Sequence, residues 1–130
     1  MSRRPDIRLR RVYDDDHERD EGRRVLVDRL WPRGVSKAKA ALDEWPKDIA
    51  PSTELRRWYG HDVERFDEFA RRYRAELQQI PGCAEVDRLV LLGRTAPVML
   101  LTATRDIEHS GAGVLLDELM NTDSLLDRAG

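Results

Sequence analysis

The stretch Pro97-Val98-Met99-Leu100-Leu101-Thr102-Ala103 decides the fold, because it is an apolar run without a charged side chain. Such a run is typical of a strand that is buried on both faces, as in a parallel sheet. A second stretch, Arg24-Val25-Leu26-Val27-Asp28-Arg29-Leu30, has a similar apolar centre. Residues 7–13 alternate apolar and charged side chains, which predicts a half-buried strand. The sequence therefore predicts a sheet of three or four strands.

Helical patterns separate these strands. Between Asp62 and Ile80, apolar residues recur three and four positions apart, which predicts a helix that Asp62 caps and Pro81-Gly82 ends. The predicted apolar face consists of Val63, Phe66, Ala70, Tyr73, Leu77 and Ile80. Ser36 and Ser52 have the chemistry of helix N-caps. The other predicted helices cover residues 37–42, residues 53–58 up to Gly60, residues 85–94, and a last segment from Thr104 to about Met120. Between Asp43 and Pro51 we expect irregular chain or a short strand.

Alternation of buried strands and helices implies parallel βαβ units with helices on both faces of the sheet. The predicted fold class is therefore α/β: a small three-layer α/β/α domain with a mostly parallel, Rossmann-like sheet. The length of 130 residues fits one domain over residues 1–130. Residues 1–6 and 122–130 are expected to be loosely ordered arms.

The composition argues against several classes of protein. The formal net charge is only −2, whereas nucleic-acid binders and polybasic membrane anchors carry a clear excess of basic residues. A single cysteine, Cys83, allows neither an internal disulfide nor a cysteine-based zinc site. No apolar stretch approaches the roughly 18 residues of a spanning helix, and no signal peptide is visible. We expect a soluble, cytoplasmic protein without membrane contacts.

Polar residues are concentrated at Asp28-Arg29-Leu30-Trp31-Pro32-Arg33-Gly34, directly after a buried strand. Ligands of parallel sheets bind at the carboxyl ends of strands. Arg29 or Arg33 could hold a phosphate or carboxylate, Trp31 could stack on a ring, and Asp28 could act as acid or base. The alternative is an internal ion pair between Asp28 and an arginine, with the tryptophan in the core.

A second polar segment, Thr102 to His109, follows the other buried strand. If a helix begins there, its exposed amides favour an anion, and Arg105 adds positive charge. Asp106 could act as a base, with His109 on the same helix face. The alternative makes Asp106 a helix cap and His109 a surface residue.

A third segment lies between these two loops. Ser52 starts a helix that could bind an anion, and Trp58 and His61 could wall a pocket; the alternative is a capped helix with core tryptophans. A three-histidine metal site would need His17, His61 and His109 to meet, so we expect no metal.

These motifs together resemble the YeaO-like family of small bacterial proteins, which is built on a domain of unknown function. The resemblance covers about residues 7–120 and is most specific at Val27-Asp28-Arg29-Leu30-Trp31-Pro32-Arg33-Gly34. One departure is His109-Ser110-Gly111-Ala112, where the family usually has His-Asn-Asn-Ala. The resemblance implies an α/β fold but supplies no reaction and no cofactor. The family's polar motif falls on Asp28, Arg29, Trp31, Arg33, Asp43, Trp45, Asp48, Ser52, Arg56, Trp58, Arg105, Asp106 and His109.

Two functions follow as hypotheses. The first is an enzyme or a binding protein for a small anionic ligand, a phosphate, nucleotide or carboxylate, with hydrolysis or group transfer as the reaction. Its candidate catalytic residues are Asp28, Asp106 and His109, and its candidate ligand-binding residues are Arg29, Trp31, Arg33, Ser52, Arg56, Trp58 and Arg105. The second is an interaction or regulatory module, with nucleic acid as an improbable partner of the arginines at positions 3, 4, 8, 10 and 11. A structural network of arginines and aspartates, without a ligand, is the competing explanation.

Overall fold

The computed structural model describes residues 4–14 and 22–129, and within them it contains a three-stranded parallel sheet. The strands are β1 (Ile7–Arg11), β2 (Arg23–Leu26) and β3 (Val98–Thr102), in the order β1-β3-β2. Ile7 and Arg23 both pair with Val98, so β3 lies in the centre. All five residues of β3 are buried, because a central strand is covered on both faces. The predicted α/β class is confirmed, although the strand order differs from the 3-2-1 order of a Rossmann half.

In the described part of the chain, five α-helices pack against this sheet. They are α1 (Lys37–Ala40), α2 (Thr53–Tyr59), α3 (Phe66–Leu77), α4 (Gly82–Thr95) and α5 (Gly111–Ala129). The predicted caps are confirmed, since the side chains of Ser36 and Ser52 accept hydrogen bonds from the amides of Lys39 and Leu55. Gly60 ends α2 with a φ of 54°, a left-handed conformation that glycine adopts without strain. In the described part of the chain, no helix combines the length and the apolar character needed to cross a bilayer.

The main core lies on one face of the sheet, where α3, α4 and α5 contribute buried side chains to a single cluster with β-strand residues. Ala70, Tyr73 and Leu77 of α3 are buried in it, as predicted. Val63 and Ile80 are exposed instead. Val63 lies in a short 3-10 helix (Val63–Arg65) that precedes α3, and Ile80 lies beyond the end of α3. The period of 3.6 residues therefore holds only over α3 itself.

The opposite face of the sheet has a thinner cover. Val12, Val35 and Ala40 form a smaller buried cluster there, with Trp31 and Leu42 packed against it. Of the five helices, only the single turn of α1 contributes to this cluster. The third layer of the fold is thus built mainly by the chain that follows β2. This chain also passes the carboxyl ends of the strands, where it can contribute residues to a site.

Both early strands are shorter than predicted. β1 ends at Arg11 and continues as a 3-10 helix over Val12–Asp14, and β2 ends at Leu26. The amide of Val27 still donates to the carbonyl of Leu101, at 3.0 Å, so the chain leaves the sheet directly before Asp28. Outside β2, Glu44 forms an isolated bridge to Val25, consistent with the short strand expected near that position.

Both ends of the last predicted helix need correction. α5 begins at Gly111 rather than Thr104, because Asp106 caps a separate 3-10 helix (Ile107–His109) and Ser110 is extended. Ser110, where the sequence departs from the family pattern, accepts a hydrogen bond from the amide of Gly113 at 3.1 Å. α5 then continues to Ala129, through the arm expected at 122–130.

Contacts hold both predicted arms where the structure describes them. In the C-terminal segment, the buried carboxylate of Asp123 accepts hydrogen bonds from Arg94 at 2.6 and 2.8 Å. At the N-terminus, Asp6 donates to Gly93 and accepts from Val98 through its backbone. Residues 1–3 lie outside the described residues.

Candidate functional site

A cavity of about 320 Å³ opens at the carboxyl ends of β2 and β3, the edge of a parallel sheet where ligands bind. Its walls come from the chain that follows each of these strands, from α2 and from the start of α5. The lining residues are Tyr13, Val27, Asp28, Arg29, Leu30, Trp31, Pro32, Arg33, Pro51, Arg56, Tyr59, His61, Phe69, Ala103, Thr104, Ser110, Gly111 and Ala112. The walls are thus mainly apolar, with arginines and one carboxylate among them.

Asp28 joins the ends of the two strands. Its carboxylate accepts one hydrogen bond from the hydroxyl of Thr102 and one from the amide of Ala103, both at 2.7 Å. Its backbone carbonyl accepts a third from the indole of Trp45, at 2.7 Å. No arginine pairs with Asp28 among the described residues, so the internal ion pair considered above is not formed.

Burial raises the pKa of the Asp28 carboxyl, and the hydrogen bonds from Ala103 and Thr102 offset part of this effect. A carboxyl whose pKa is raised in the folded state stabilises the fold fully only below its unfolded pKa, near 3.8. That contribution is lost as the pH rises through the folded value.

We therefore expect wild-type protein to lose stability relative to Asp28→Asn as the pH rises from about 4 to 7, because asparagine does not titrate. Urea unfolding of both proteins across this range measures the difference. Comparison with Asp28→Asn cancels the opposite trend from Glu44, whose pKa is lowered by Arg88 and Arg23. A difference that stays constant with pH would contradict the expectation.

Arg29 and Trp31 use their polar groups within the protein. The guanidinium of Arg29 donates to the carbonyls of Pro51 and Ala50, at 2.9 and 3.2 Å, and so ties the loop after β2 to the start of α2. The indole of Trp31 donates to the carbonyl of Val35 at 2.6 Å. Both side chains line the cavity; the indole donor of Trp31 and two of the five N–H donors of Arg29 are used within the protein.

Arg33 and Arg56 differ from these two residues. Among the described residues, neither guanidinium has a hydrogen-bond or ion-pair partner, and both line the cavity. The Nε of Arg56 is buried without an acceptor. A buried donor without an acceptor costs about 1–3 kcal/mol, so this atom marks a place that a ligand or solvent acceptor would satisfy.

Ser52 and Trp58, two of the predicted ligand-binding residues, line neither this cavity nor the second one described below. The hydroxyl and amide of Ser52 donate to the carboxylate of Glu76, at 2.6 and 2.8 Å, so the protein's own anion occupies the start of α2. Trp58 packs under the guanidiniums of Arg72 and Arg65, whose carbons lie 4.3 and 5.3 Å from the ring centre. Both residues have structural contacts that sequence spacing does not reveal.

The other three predicted residues, Arg105, Asp106 and His109, line a second cavity of about 370 Å³. Nδ1 of His109 lies 2.8 Å from the Asp106 carboxylate, and Arg105 has no partner among the described residues. Because only a three-residue 3-10 helix begins here, the predicted effect of a long helix dipole on an anion does not apply. Asp106 and His109 lie side by side, as their spacing predicted, and Asp106 caps the 3-10 helix, which was the alternative considered above.

Sequence reasoning missed several lining residues. Tyr59 reaches both cavities; its hydroxyl donates to the carbonyl of His109 at 2.6 Å, and burial raises its pKa. Tyr13 donates to the carbonyl of Arg33 at 2.8 Å. His61, considered above only as a pocket wall, lines both cavities with a φ of 60°. The Gly60-His61 pair after a predicted helix was the available signal for this turn.

One group of possible metal ligands exists among the described residues. Asp106, Glu108 and His109 bring ligand atoms within 4.8 Å of one another, and the two carboxylates are exposed. Asp106 and His109 already bond to each other, and exposed acidic groups of this kind are common without an ion. His17 lies outside the described residues. The expectation of no metal remains a prediction.

Comparison with known proteins assigns the family. Residues 6–128 match the model of the inactive DUF488-N3 subclade. An uncharacterised protein of Mycobacterium tuberculosis H37Rv is 47% identical over 121 residues, 93% of this chain and 98% of that protein. The uncharacterised protein YeaO of Escherichia coli K12 is 43% identical over 113 residues, 87% and 96% of the two chains. No solved structure matches the chain. The chain therefore belongs to the inactive DUF488-N3 subclade, and its relatives are the YeaO-like proteins of bacteria.

Proposed function

We propose that this protein binds a small anionic ligand, a phosphate or a carboxylate, in the cavity at the carboxyl ends of β2 and β3. The observation that carries the proposal is a pair of guanidiniums, those of Arg33 and Arg56, which line one mainly apolar cavity and have no partner among the residues that the structure describes. Guanidinium groups bind carboxylates and phosphates through two parallel hydrogen bonds. Low-dielectric walls strengthen such contacts relative to those on an open surface.

The remaining charges of the cavity support an anion rather than a cation. Among the described residues, Asp28 is the one carboxylate in the lining, and both of its oxygens already accept hydrogen bonds. Burial raises its pKa, so its ionised form is already disfavoured before a ligand arrives. Arg29 adds a positive charge at the same wall while its donors hold the loop.

Binding without turnover fits this cavity better than hydrolysis or group transfer. The Ser110 hydroxyl donates to the carbonyl of Ile107 at 2.6 Å and accepts from Gly113, so it is not poised as a nucleophile. Asp28 is held by donors rather than aimed at an attacking group. The family description, an inactive subclade, agrees with this inference.

The test is thermal unfolding in increasing concentrations of inorganic phosphate, with Arg33→Ala and Arg56→Ala. A ligand at 100 times its dissociation constant adds about 2.7 kcal/mol to the stability of the protein that binds it. We expect stabilisation of the wild type and loss of at least tenfold in phosphate affinity in each variant. Arg57→Ala is the matched control, because Arg57 is an exposed neighbour on α2 that does not line the cavity.

Two results would overturn the proposal. The first is a folded wild type whose unfolding temperature does not respond to phosphate, sulfate or acetate. The second is an anion response that both cavity variants retain, or that Arg57→Ala loses equally, since this would indicate non-specific screening. Release of phosphate from a phosphate ester, abolished in Asp28→Asn, would show an enzyme instead.

A further inference from the structure

The two cavities adjoin each other, and we call them together the cleft. They share four lining residues, Tyr59, His61, Ala103 and Thr104, so the wall between Arg33 and Arg56 at one end and Asp106 at the other is common to both. An ion as small as inorganic phosphate, bound at Arg33 and Arg56, would leave the second cavity, of about 370 Å³, empty. The shape of the cleft therefore favours an anion with a second, uncharged part.

The second cavity differs from the first in its polar groups. The Asp106 side chain is 55% exposed, and its carboxylate oxygens accept from the amide and the Nδ1 of His109 at 3.3 and 2.8 Å. When the neutral ring donates from Nδ1, its Nε2 remains an acceptor. Carboxylate and imidazole acceptors beside the guanidinium of Arg105 match hydroxyl groups, because each hydroxyl both donates and accepts.

The boundary between the cavities carries backbone strain. His61 has a φ of 60°, which is uncommon for a residue other than glycine, and it directly follows Gly60 at 54°. Strain of this kind persists where the surroundings fix it and is concentrated at ligand sites. In this conformation His61 lines both cavities and, with Tyr59, forms an aromatic wall, the two rings lying 6.2 Å apart.

We propose that the cleft binds the phosphate ester of a polyol, a sugar phosphate or the sugar-phosphate part of a nucleotide. The phosphate contacts Arg33 and Arg56 in the first cavity. The hydroxyl groups donate to Asp106 and His109 in the second cavity, and the ligand lies along Tyr59 and His61, which line both. This inference rests on the proposed anion site and adds the chemical class of its ligand. A carboxylate binds sugar hydroxyls in dinucleotide-binding folds as well, where an acidic residue accepts hydrogen bonds from the ribose.

The test compares ribose 5-phosphate with inorganic phosphate by calorimetry, on the wild type and on Asp106→Asn. We expect the wild type to bind ribose 5-phosphate at least tenfold more tightly than phosphate. In Asp106→Asn this preference should fall to threefold or less, while the affinity for phosphate alone changes by less than threefold. Asparagine retains an oxygen that can cap the 3-10 helix, so the variant keeps the local fold.

Glu108→Gln is the matched control, because Glu108 is an exposed neighbouring carboxylate that does not line the cleft. It should keep the preference for ribose 5-phosphate. Equal affinities of the wild type for the two probes, or a preference that survives in Asp106→Asn, would overturn the polyol assignment and leave the anion site intact. Absence of binding by either probe would overturn the anion site as well.

A bisphosphate provides the last arm of the experiment. If fructose 1,6-bisphosphate binds at least tenfold more tightly than ribose 5-phosphate, and Arg105→Ala rather than Asp106→Asn removes that advantage, the second cavity binds an anion. That result would also overturn the polyol assignment. We expect instead that the second phosphate gives no advantage, because it would lie beside the Asp106 carboxylate.

Discussion

Replacing Asp28 with alanine should lower the free energy of unfolding by about 3 kcal/mol, because it leaves two donors at the end of β3 without their acceptor. The hydroxyl of Thr102, which is fully buried, and the amide of Ala103 both lose their acceptor. Each donor without an acceptor costs about 1–3 kcal/mol, so the two together cost about 2–6 kcal/mol, and access of solvent from the cavity keeps the sum in the lower half of that range. We therefore expect Asp28 to stabilise the site by joining the chain after β2 to the end of β3.

Chemical unfolding at pH 7 measures this effect, and for a chain of this length 3 kcal/mol corresponds to a fall of about 10 °C in melting temperature. Asp28→Asn is the matched control. Its amide can accept from Ala103 and donate to the hydroxyl of Thr102, so most of the stability should remain. Thr102→Val in the Asp28→Ala background should recover part of the lost stability, because it removes one of the two donors that have no acceptor. An alanine variant within 1 kcal/mol of the wild type would show that water replaces the carboxylate.

Local sequence patterns were sufficient for the sheet and for most helices. The apolar run at 97–103 is typical of a strand buried on both faces, and it forms the central β3. Ser36 and Ser52 cap helices as predicted, since capping involves only neighbouring amides. The placement of polar residues after β2 and β3 followed from the general position of sites in parallel sheets.

Long-range partners could not be predicted in the same way. Glu76 lies 24 positions after Ser52, yet its carboxylate occupies the start of α2. The Arg29 side chain bonds to carbonyls more than 20 positions away, which no spacing rule indicates. For the same reason the sequence could not separate Arg33 and Arg56, which have no partners among the described residues, from arginines that the fold uses.

The beginning of α5 shows how local hydrogen bonds override a helical pattern. Residues 104–109 have the composition of a helix start, and the predicted helix included them. Instead Asp106 caps the 3-10 helix of residues 107–109, and the carbonyl of Ile107 accepts from both the amide and the hydroxyl of Ser110. The chain can make this turn because Gly113 leaves room for the Ile107 carbonyl.

Gly113→Ala is therefore expected to lower the free energy of unfolding by about 2–3 kcal/mol, although alanine favours helices by about 1 kcal/mol over glycine. A Cβ at this position would lie 2.5 Å from the carbonyl oxygen of Ile107, a backbone atom that no rotamer change can move. The turn of residues 107–109 or the start of α5 must shift. Because that turn carries His109 and is capped by Asp106, we expect the preference for ribose 5-phosphate to fall with the stability.

Chemical unfolding of Gly113→Ala beside Asp117→Ala separates the close contact from helix propensity. Asp117 is exposed on the same helix, so its replacement should change stability by no more than about 0.5 kcal/mol. If Gly113→Ala were instead more stable than the wild type, the turn would have to relax at no cost. If such a variant also kept its preference for ribose 5-phosphate, the close contact between Ile107 and Gly113 would not be what positions Asp106. If Gly113→Ala lost both stability and this preference, the geometry of the second cavity would depend on that contact.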